Sequence, residues 1–205
     1  MVLDGIYYAL GFLAGGALLS YVLGWGYGIP FAVLAIFCLY FFRDPDREIP
    51  DGPVAVSPAD GKVVSIKGEP PSTRVSIFLN IFDVHVNRSP VAGAIAQVKY
   101  QTGKFLVASR ELASSQNEQN TVTLKQEDGT QVIFSQIAGL IARRIVFRKQ
   151  PGDTVQKGER VGLIKFGSRV DVYFGPEWEI AVQPGQRVSA GSSILARRKQ
   201  SDAVA

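Results

Sequence analysis

The stretch VGLIKFGSRVDVYFG, residues 161–175, has the alternation of a β-strand with a Gly-Ser pair at its centre. On both sides of the pair Val, Ile, Phe and Tyr alternate with small or polar residues, which is typical of a half-buried strand. A glycine inside a strand weakens it and marks a bulge, a bend or a close backbone approach. Gly167 and Ser168 therefore form either a plain turn or a point where the strand is interrupted for chemistry.

The chain has β-like texture from Pro50 onward. Short runs such as VAVSPADGKVVSI and NTVTLKQEDGTQVIFSQIAG are separated by Gly, Pro, Asp and Asn at intervals of roughly ten residues. This spacing predicts an antiparallel β-domain, in which the EDG of residues 127–129 forms a hairpin turn.

An internal echo refines this expectation. Residues 151–164, PGDTVQKGERVGLI, resemble residues 183–196, QPGQRVSAGSSILA, and both contain P-G-x-x-V-x-x-G before an apolar tail. The pattern is found in barrel-sandwich domains of the lipoyl and biotinyl carrier type, although two unrelated Gly-rich hairpins could converge on it. We therefore expect a mainly β fold with barrel-sandwich character. Carriers need a modifiable lysine between the repeats, and here FGSR occupies that place.

The N-terminal segment has a different composition. From Gly5 to Phe42 the chain is almost uncharged, nearly twice the roughly 20 residues that one spanning helix needs. The GYGIP of residues 26–30 divides it into two short apolar helices, which either span the membrane or form a re-entrant hairpin. We expect residues 1–42 to be a membrane helical hairpin, the alternative being a buried hairpin in a soluble core.

The expected location follows from the charges beside this anchor. Arg43 and Arg47 come directly after it, and the positive-inside rule places such residues in the cytoplasm. Residues 43–205 should therefore form a β-rich catalytic domain that faces the cytoplasm from the cytoplasmic membrane.

Composition excludes several kinds of site. The formal net charge of +4 is compatible with an anionic membrane or substrate, but no basic stripe with interleaved aromatics suggests nucleic-acid binding. The single cysteine, Cys38, allows neither an intrachain disulfide nor a Cys-based metal site. The single histidine, His85, excludes metal motifs that need two imidazoles.

Three residues in separate motifs are candidates for one catalytic site. His85 lies in IFDVHVNRSPVAG among polar residues, where an imidazole can shuttle protons, although a lone histidine is commonly structural. Asp60 lies in SPADGKVV, where Asp-Gly also suits a turn; its catalytic use would be to orient a histidine. Ser168 would then be the nucleophile.

The four motifs FRDPDREIP, SPADGKVV, IFDVHVNRSPVAG and IKFGSRVDVYF together resemble the phosphatidylserine decarboxylase family in its short, archaeal-type form. The resemblance covers nearly the whole chain. It implies a proenzyme that cuts itself between Gly167 and Ser168 into a large β chain, residues 1–167, and a small α chain, residues 168–205. It also implies that Ser168 becomes a covalent pyruvoyl cofactor, with no metal and no PLP.

The resemblance assigns site residues motif by motif. Asp60 matches the aspartate of the family's PADG motif, and His85 matches a histidine of its DxH segment. Longer members have two histidines in an H-x-x-H arrangement, whereas here the second position is Arg88. His85 must then serve both cleavage and decarboxylation, or leave one step to Asp83, Arg88 or water. Asp83 and Arg88 are also candidates for substrate binding.

The implied activity is decarboxylation of phosphatidylserine to phosphatidylethanolamine. The implied partners are phosphatidylserine in the membrane and the two cleaved chains as a heterodimer, with further oligomerisation left open, and no nucleic acid. Two alternatives share some of these features. A membrane-tethered lipoyl- or biotinyl-like carrier or adaptor would not cut itself. A membrane-bound serine hydrolase would keep its chain intact and would be expected to show G-x-S-x-G, which is absent around Ser168.

Overall fold

The chain forms two compact units, Met1–Asp46 and Arg47–Ala205. The structure, a computed structural model, describes residues 2–69, 71–108, 112–139, 144–165 and 168–199.

The first unit contains two apolar helices joined by one 3-10 turn. Helix α1, Leu3–Leu23, has 21 residues and a mean hydropathy of 1.7, so it is long and apolar enough to cross a membrane. Helix α2, Ile29–Phe41, has 13 residues and carries a proline in its first turn, where the missing N–H costs nothing. Gly16 lets the helices approach, because a Cβ there would lie 2.8 Å from Cβ of Phe31. This matches the expectation of two apolar helices joined by a turn.

The described residues of the second unit form fourteen strands and one short helix. Helix α3 is Ala113–Gln116, and the strands are β1 Val54–Val56, β2 Gly61–Glu69, β3 Ser72–Leu79, β4 Val86–Arg88, β5 Gly93–Gln101, β6 Gln119–Lys125, β7 Gln131–Ile137, β8 Arg144–Phe147, β9 Thr154–Val155, β10 Arg160–Lys165, β11 Ser168–Phe174, β12 Trp178–Ile180, β13 Arg187–Val188 and β14 Ile194–Arg198.

The strands form three antiparallel sheets. The largest has the order β13-β2-β3-β11-β7-β6-β5-β9, and two three-stranded sheets have the orders β1-β14-β12 and β4-β10-β8. One apolar core is shared by side chains from all three, among them Ala55, Ile77, Val161, Val172 and Leu195. The prediction of a mainly β, antiparallel domain preceded by apolar helices is confirmed.

Residues 161–175 belong to two strands rather than to one interrupted strand. Strand β10 ends at Lys165 in one three-stranded sheet, and β11 begins at Ser168 in the eight-stranded sheet. Residues 166 and 167 lie outside the described part of the chain. Periodicity could not distinguish these arrangements, because both halves alternate in the same way.

The echo between residues 151–164 and 183–196 is also present in the structure. Both segments run through a tight turn, a two-residue strand, a second turn and a longer strand. Gly152 and Gly185 have φ values of 97° and 91°, and Gly158 and Gly191 have φ values of 77° and 81°. These left-handed conformations favour glycine, which explains why the glycines recur at matching positions.

A second internal repeat, which the sequence analysis missed, joins the first: two similar five-residue segments each precede a strand. SPADG at residues 57–61 and SPVAG at 89–93 precede β2 and β5, and these strands pair with β13 and β9, respectively. Oγ of Ser57 donates to the Ala59 carbonyl at 2.6 Å, and Oγ of Ser89 donates to the Val91 carbonyl at 2.7 Å. The β-unit therefore contains two similar pairs of segments, but only SPADG has an aspartate, Asp60, before its strand.

Candidate active site

Ser168 begins the central strand of the largest sheet. It pairs with Leu79 of β3, and its side chain lies on the same face as Val170 and Val172, which belong to the core. Ser168 is 0% exposed, and its Oγ has no hydrogen-bond partner among the described atoms. A buried polar group without a partner costs about 1–3 kcal/mol and is rare, so this hydroxyl calls for an explanation beyond packing.

One row of residues marks the position of Ser168 in the sheet. The row crosses seven strands at the end where β11 begins, and we call it the Ser168 edge: Arg187, Lys62, Phe78, Arg169, Ile137, Gln119 and Gln101. Residues just beyond this row come together although they are far apart in sequence, because neighbouring strands are only about 4.8 Å apart.

His85 lies beside the segment that leads into Ser168. Its carbonyl accepts a hydrogen bond from the Ile164 amide at 3.2 Å, four residues before Ser168. From the other side, the turn from Asn80 to Asp83 directly follows Leu79, the partner of Ser168, and leads to His85. Both connections place His85 at the Ser168 edge, where its side chain is buried.

The tautomer of His85 follows from the contact of its Nδ1 atom. Nδ1 lies 2.9 Å from the carbonyl oxygen of Asp83. A carbonyl can only accept, so Nδ1 must carry the proton, and in the neutral ring Nε2 is the nitrogen with the lone pair. The backbone therefore occupies the position that a carboxylate takes in a serine triad.

Asp60 also lies at the Ser168 edge, immediately before Gly61 of β2. Its Oδ1 accepts from the Ala190 amide at 2.7 Å, and its two oxygens lie 3.1 and 2.9 Å from Nη2 of Arg47. The carboxylate is thus paired with a partly buried guanidinium. The fold thus brings the motifs of all three predicted catalytic residues to the Ser168 edge. The hydrogen bonds of Asp60, however, go to Arg47 and to the Ala190 amide.

The two predicted substrate-binding residues are buried as well. Asp83 accepts from the Asn80 amide at 2.9 Å and pairs with the guanidinium of Arg187. Arg88 pairs with Arg160 across β4 and β10, and its Nη1 donates to the Gly158 carbonyl at 3.0 Å. Arg187, whose side chain is 64% exposed, is the member of this group that solvent reaches.

A chain of buried amides was missed by the sequence analysis. Nδ2 of Asn120 donates to Gln136 at 3.1 Å, and Nε2 of Gln136 donates to Oδ1 of Asn87 at 2.8 Å. Nδ2 of Asn87 in turn lies 3.5 Å from the Pro58 carbonyl, which also accepts from the Arg88 amide at 2.9 Å. The chain links the large sheet to β4, next to His85, and to the SPADG segment. The available signal was polar residues at inward positions of β6 and β7.

A second missed feature holds the residue after Ser168. Arg169 is buried on the opposite face of β11, where Nε donates to Asp171 at 2.6 Å and Nη2 donates to Ser76 at 2.6 Å. Arg74 lies 3.6 Å from the same carboxylate, and Oγ of Ser114 donates to it at 2.6 Å. Breaking a buried ion pair costs about 3–5 kcal/mol, so this network fixes the start of β11 firmly.

No group of three or more His, Cys, Asp or Glu side chains that could hold a metal ion occurs among the residues described by the structure.

Comparison with known proteins gives a consistent family assignment. The family model described as phosphatidylserine decarboxylase matches residues 34–196. The chain is 68% identical over 198 residues to the phosphatidylserine decarboxylase proenzyme of Solibacter usitatus, covering 97% of each chain. It is 48% identical over 188 residues to the protein of that name from Ruegeria pomeroyi, covering 85% and 83% of the two chains. For the one from Oleidesulfovibrio alaskensis it is 45% over 186 residues, covering 87% and 85%.

These matches extend through the segments that carry Asp60, His85 and Ser168, and they confirm the resemblance inferred from the four motifs. The chain belongs to the phosphatidylserine decarboxylase family.

Proposed function

We propose that the chain is a proenzyme that cuts itself between Gly167 and Ser168 and then decarboxylates phosphatidylserine to phosphatidylethanolamine. The observation that carries the proposal is the buried Oγ of Ser168, which has no hydrogen-bond partner among the described atoms at the first position of a central strand. The hydroxyl is available for attack on the preceding carbonyl, because no described group holds it elsewhere. Gly167 itself lies outside the described residues.

The first step is attack of Ser168 Oγ on the carbonyl carbon of Gly167. A planar, resonance-stabilised amide resists this attack, and a glycine, which lacks Cβ, can adopt the conformation that exposes its carbonyl. The hydroxyl proton goes to a base, the C–N bond breaks, and the nitrogen takes up a proton. The peptide bond thereby becomes an ester at the serine oxygen.

The second step removes the ester. Loss of the Cα proton of residue 168 and cleavage of its Cβ–O bond release Gly167 as a free carboxylate and leave dehydroalanine. Tautomerisation and hydrolysis then release ammonia and leave a pyruvoyl group at position 168. This group supplies a ketone that condenses with the substrate amine and accepts the electron pair released when CO2 leaves.

We assign the role of general base to His85. The Asp83 carbonyl holds its Nδ1–H, so the lone pair of the neutral ring is at Nε2, and the neighbouring strands place the residue beside the segment before Ser168. The same imidazole can return a proton to the substrate carbon after CO2 has left.

Asp60 has a positioning role in this proposal. Its bonds to Arg47 and to the Ala190 amide hold the SPADG segment, and the Pro58 carbonyl of that segment is bonded by the Arg88 amide in β4. Asp60 thus acts on His85 indirectly, through the backbone hydrogen bond that joins the SPADG segment to β4.

For the substrate, we propose that Asp83 acts through its partner Arg187. The exposed guanidinium of Arg187 can bind the lipid phosphate while Asp83 holds it at the Ser168 edge. Arg88 is the second proposed contact; its buried guanidinium already donates to the Gly158 carbonyl and would meet the lipid only through a remaining N–H.

The two chains should remain together as a heterodimer after the cut. Strand β11 belongs to the small chain and lies between β3 and β7 of the large chain, paired along its length with both. The buried pairs of Arg169 with Asp171 and Ser76 would keep the new N-terminus in place.

Mass spectrometry of the purified protein tests the processing. We expect two chains of about 18 and 4 kDa, in proportion to their lengths, from the 22.2 kDa precursor. The small chain should begin with a pyruvoyl group in place of Ser168, and it should react with a carbonyl reagent. An intact chain of full mass with full decarboxylase activity would contradict the proposal.

We also propose that residues 1–42 anchor the protein in the cytoplasmic membrane with residues 43–205 in the cytoplasm. Helix α1 has the length and composition of a spanning helix, and Arg43 and Arg47 follow the second helix. Protease added outside spheroplasts of a bacterial expression host should leave the β-unit intact, whereas inverted membrane vesicles should lose it. Digestion from the outside would reverse the orientation.

A further inference from the structure

Large apolar side chains are exposed in a restricted part of the β-unit. Among the described residues from 47 to 199, five such side chains are exposed, with Phe82 at 60% and Leu112 at 57%; the five are Ile81, Phe82, Tyr100, Val107 and Leu112. Scattered single exposures need no explanation, but a cluster marks a contact surface.

Four of the five residues, Ile81, Phe82, Tyr100 and Val107, lie beside the Ser168 edge. Ile81 and Phe82 occupy the turn between Leu79, the strand partner of Ser168, and His85. Tyr100 is the second-last residue of β5, and Val107 and Leu112 lie in the connection from β5 to β6.

Hydrogen bonds hold this connection at the same edge. Asn117 bonds the backbone of Leu106 through Oδ1 and Nδ2, at 2.9 and 2.8 Å, and its Nδ2 also donates to the Ala138 carbonyl at 2.7 Å. Ala138 directly follows Ile137, a member of the Ser168 edge. The exposed Val107 next to Leu106 is therefore held near the start of β11.

Positive charge lies around these apolar side chains. Lys62, Lys104 and Arg187 are exposed, and Lys62 pairs with Arg187 across β2 and β13 at the Ser168 edge. Two carboxylates of this end are engaged locally, Asp83 with Arg187 and Glu118 with the Tyr100 hydroxyl. With Arg187 paired to Asp83, the exposed Lys62 and Lys104 leave positive charge beside these apolar side chains, which suits an anionic lipid surface.

Tyr100 is suited to the same setting. The hydrogen bond to Glu118 and, to a smaller extent, burial raise the pKa of Tyr100 to about 12, so the phenol stays protonated well above neutral pH. Tyrosine is enriched at membrane interfaces because one end of its side chain is apolar and the other is polar.

We propose that four exposed side chains beside the Ser168 edge form a membrane-contact surface: Ile81, Phe82, Tyr100 and Val107 enter the interface of an anionic bilayer, independently of the N-terminal helices. The inference rests on the proposed action on a membrane lipid. The serine headgroup then reaches residue 168 while the acyl chains stay in the bilayer, so the substrate need not be extracted into water.

Spin labels on the full-length chain test the contact. In a Cys38→Ser background, single cysteines would replace Phe82, Val22 of α1 and Glu127, an exposed residue of the β6–β7 turn at the opposite end of the sheet. The chains would be placed in vesicles of phosphatidylcholine and phosphatidylglycerol. Oxygen concentrates in the bilayer, and a water-soluble nickel complex stays in the aqueous phase. We expect the spin labels at 82 and 22 to be relaxed more by oxygen than by the nickel complex, and the label at 127 to be relaxed more by the nickel complex.

The outcomes separate this inference from the proposed location. A label at 82 that only the nickel complex reaches, with 22 in lipid, would overturn the contact surface and leave the anchor intact. A label at 22 in water would contradict the anchor. Dipolar broadening between labels at 82 would show that a second copy of the chain covers the surface, which would also overturn the inference.

Activity provides an independent readout. Ile81→Ser with Phe82→Ser should lower decarboxylation of phosphatidylserine in vesicles about tenfold or more, because two apolar contacts are lost. Turnover of a short-chain, water-soluble phosphatidylserine should not change. The matched control Phe82→Leu, which stays apolar, should keep most of the vesicle activity. An equal loss on both substrates would show that these residues act within the site and not at the membrane.

Discussion

Ser168→Ala should leave the chain uncut and without decarboxylase activity. The variant has no hydroxyl to attack the Gly167 carbonyl and no oxygen from which a pyruvoyl group can form. A gel of the purified protein should show one band at the precursor mass, and phosphatidylethanolamine formation should fall to background. Appearance of the two fragments would show that another residue starts the cleavage.

Folding of this variant can be checked against a matched serine. Ser168→Ala removes a buried hydroxyl without a described partner, so it should not lower the stability of the precursor and can raise it by about 1–3 kcal/mol. Ser135→Ala removes a buried hydroxyl that lies 2.9 Å from Thr121 in the neighbouring strand. That control should be cut at the normal rate and lose about 1 kcal/mol of unfolding free energy in a denaturant titration.

His85→Ala should slow both self-cleavage and decarboxylation. Loss of a general base lowers a rate by about 10²–10⁴-fold, and no second histidine exists in the chain to replace it. Fragment formation after pulse labelling and release of CO2 from phosphatidylserine should be measured separately. If His85→Ala cuts normally but cannot decarboxylate, the base for maturation lies elsewhere, and Asp60, alone or through water, becomes the leading candidate.

Asp60→Asn is the informative comparison for the same two steps. The amide oxygen can still accept from the Ala190 N–H, but the charge opposite Arg47 is lost. We therefore expect slower cleavage, by less than in His85→Ala, and little effect on decarboxylation once the chain is cut. If cleavage slows as much as in His85→Ala, Asp60 takes part in the proton transfer itself.

Local chemistry made much of the fold predictable. The apolar run of residues 5–42 predicts helices in an apolar environment, because helices satisfy their backbone hydrogen bonds internally. The alternation of apolar and polar residues after Pro50 predicts half-buried strands. The EDG turn at 127–129 was predicted correctly, with Gly129 at φ 85° between β6 and β7. The recurrent glycines were also informative, because a left-handed φ leaves few other residues to choose from.

The pairing of strands that are distant in the sequence was harder to predict. The split of residues 161–175 between two sheets and the second internal repeat, at residues 57–61 and 89–93, depend on which strands meet. The Asn120–Gln136–Asn87 chain likewise joins residues from different strands, so no local pattern could assign its partners.

The groups available for chemistry can be read from the residue order alone: a Gly-Ser junction, one imidazole, an aspartate before a glycine and an apolar N-terminal segment. Tertiary structure decided what each group contacts. In the fold, Nδ1 of His85 contacts the Asp83 carbonyl, and Asp60 accepts hydrogen bonds from Arg47 and from the Ala190 amide. Ser168 Oγ is buried without a partner among the described atoms. The fold also gathers exposed apolar side chains beside the edge where Ser168 lies. The physical reason is that residue type and periodicity act over a few residues, whereas hydrogen-bond partners and surfaces arise from strand register across the whole sheet.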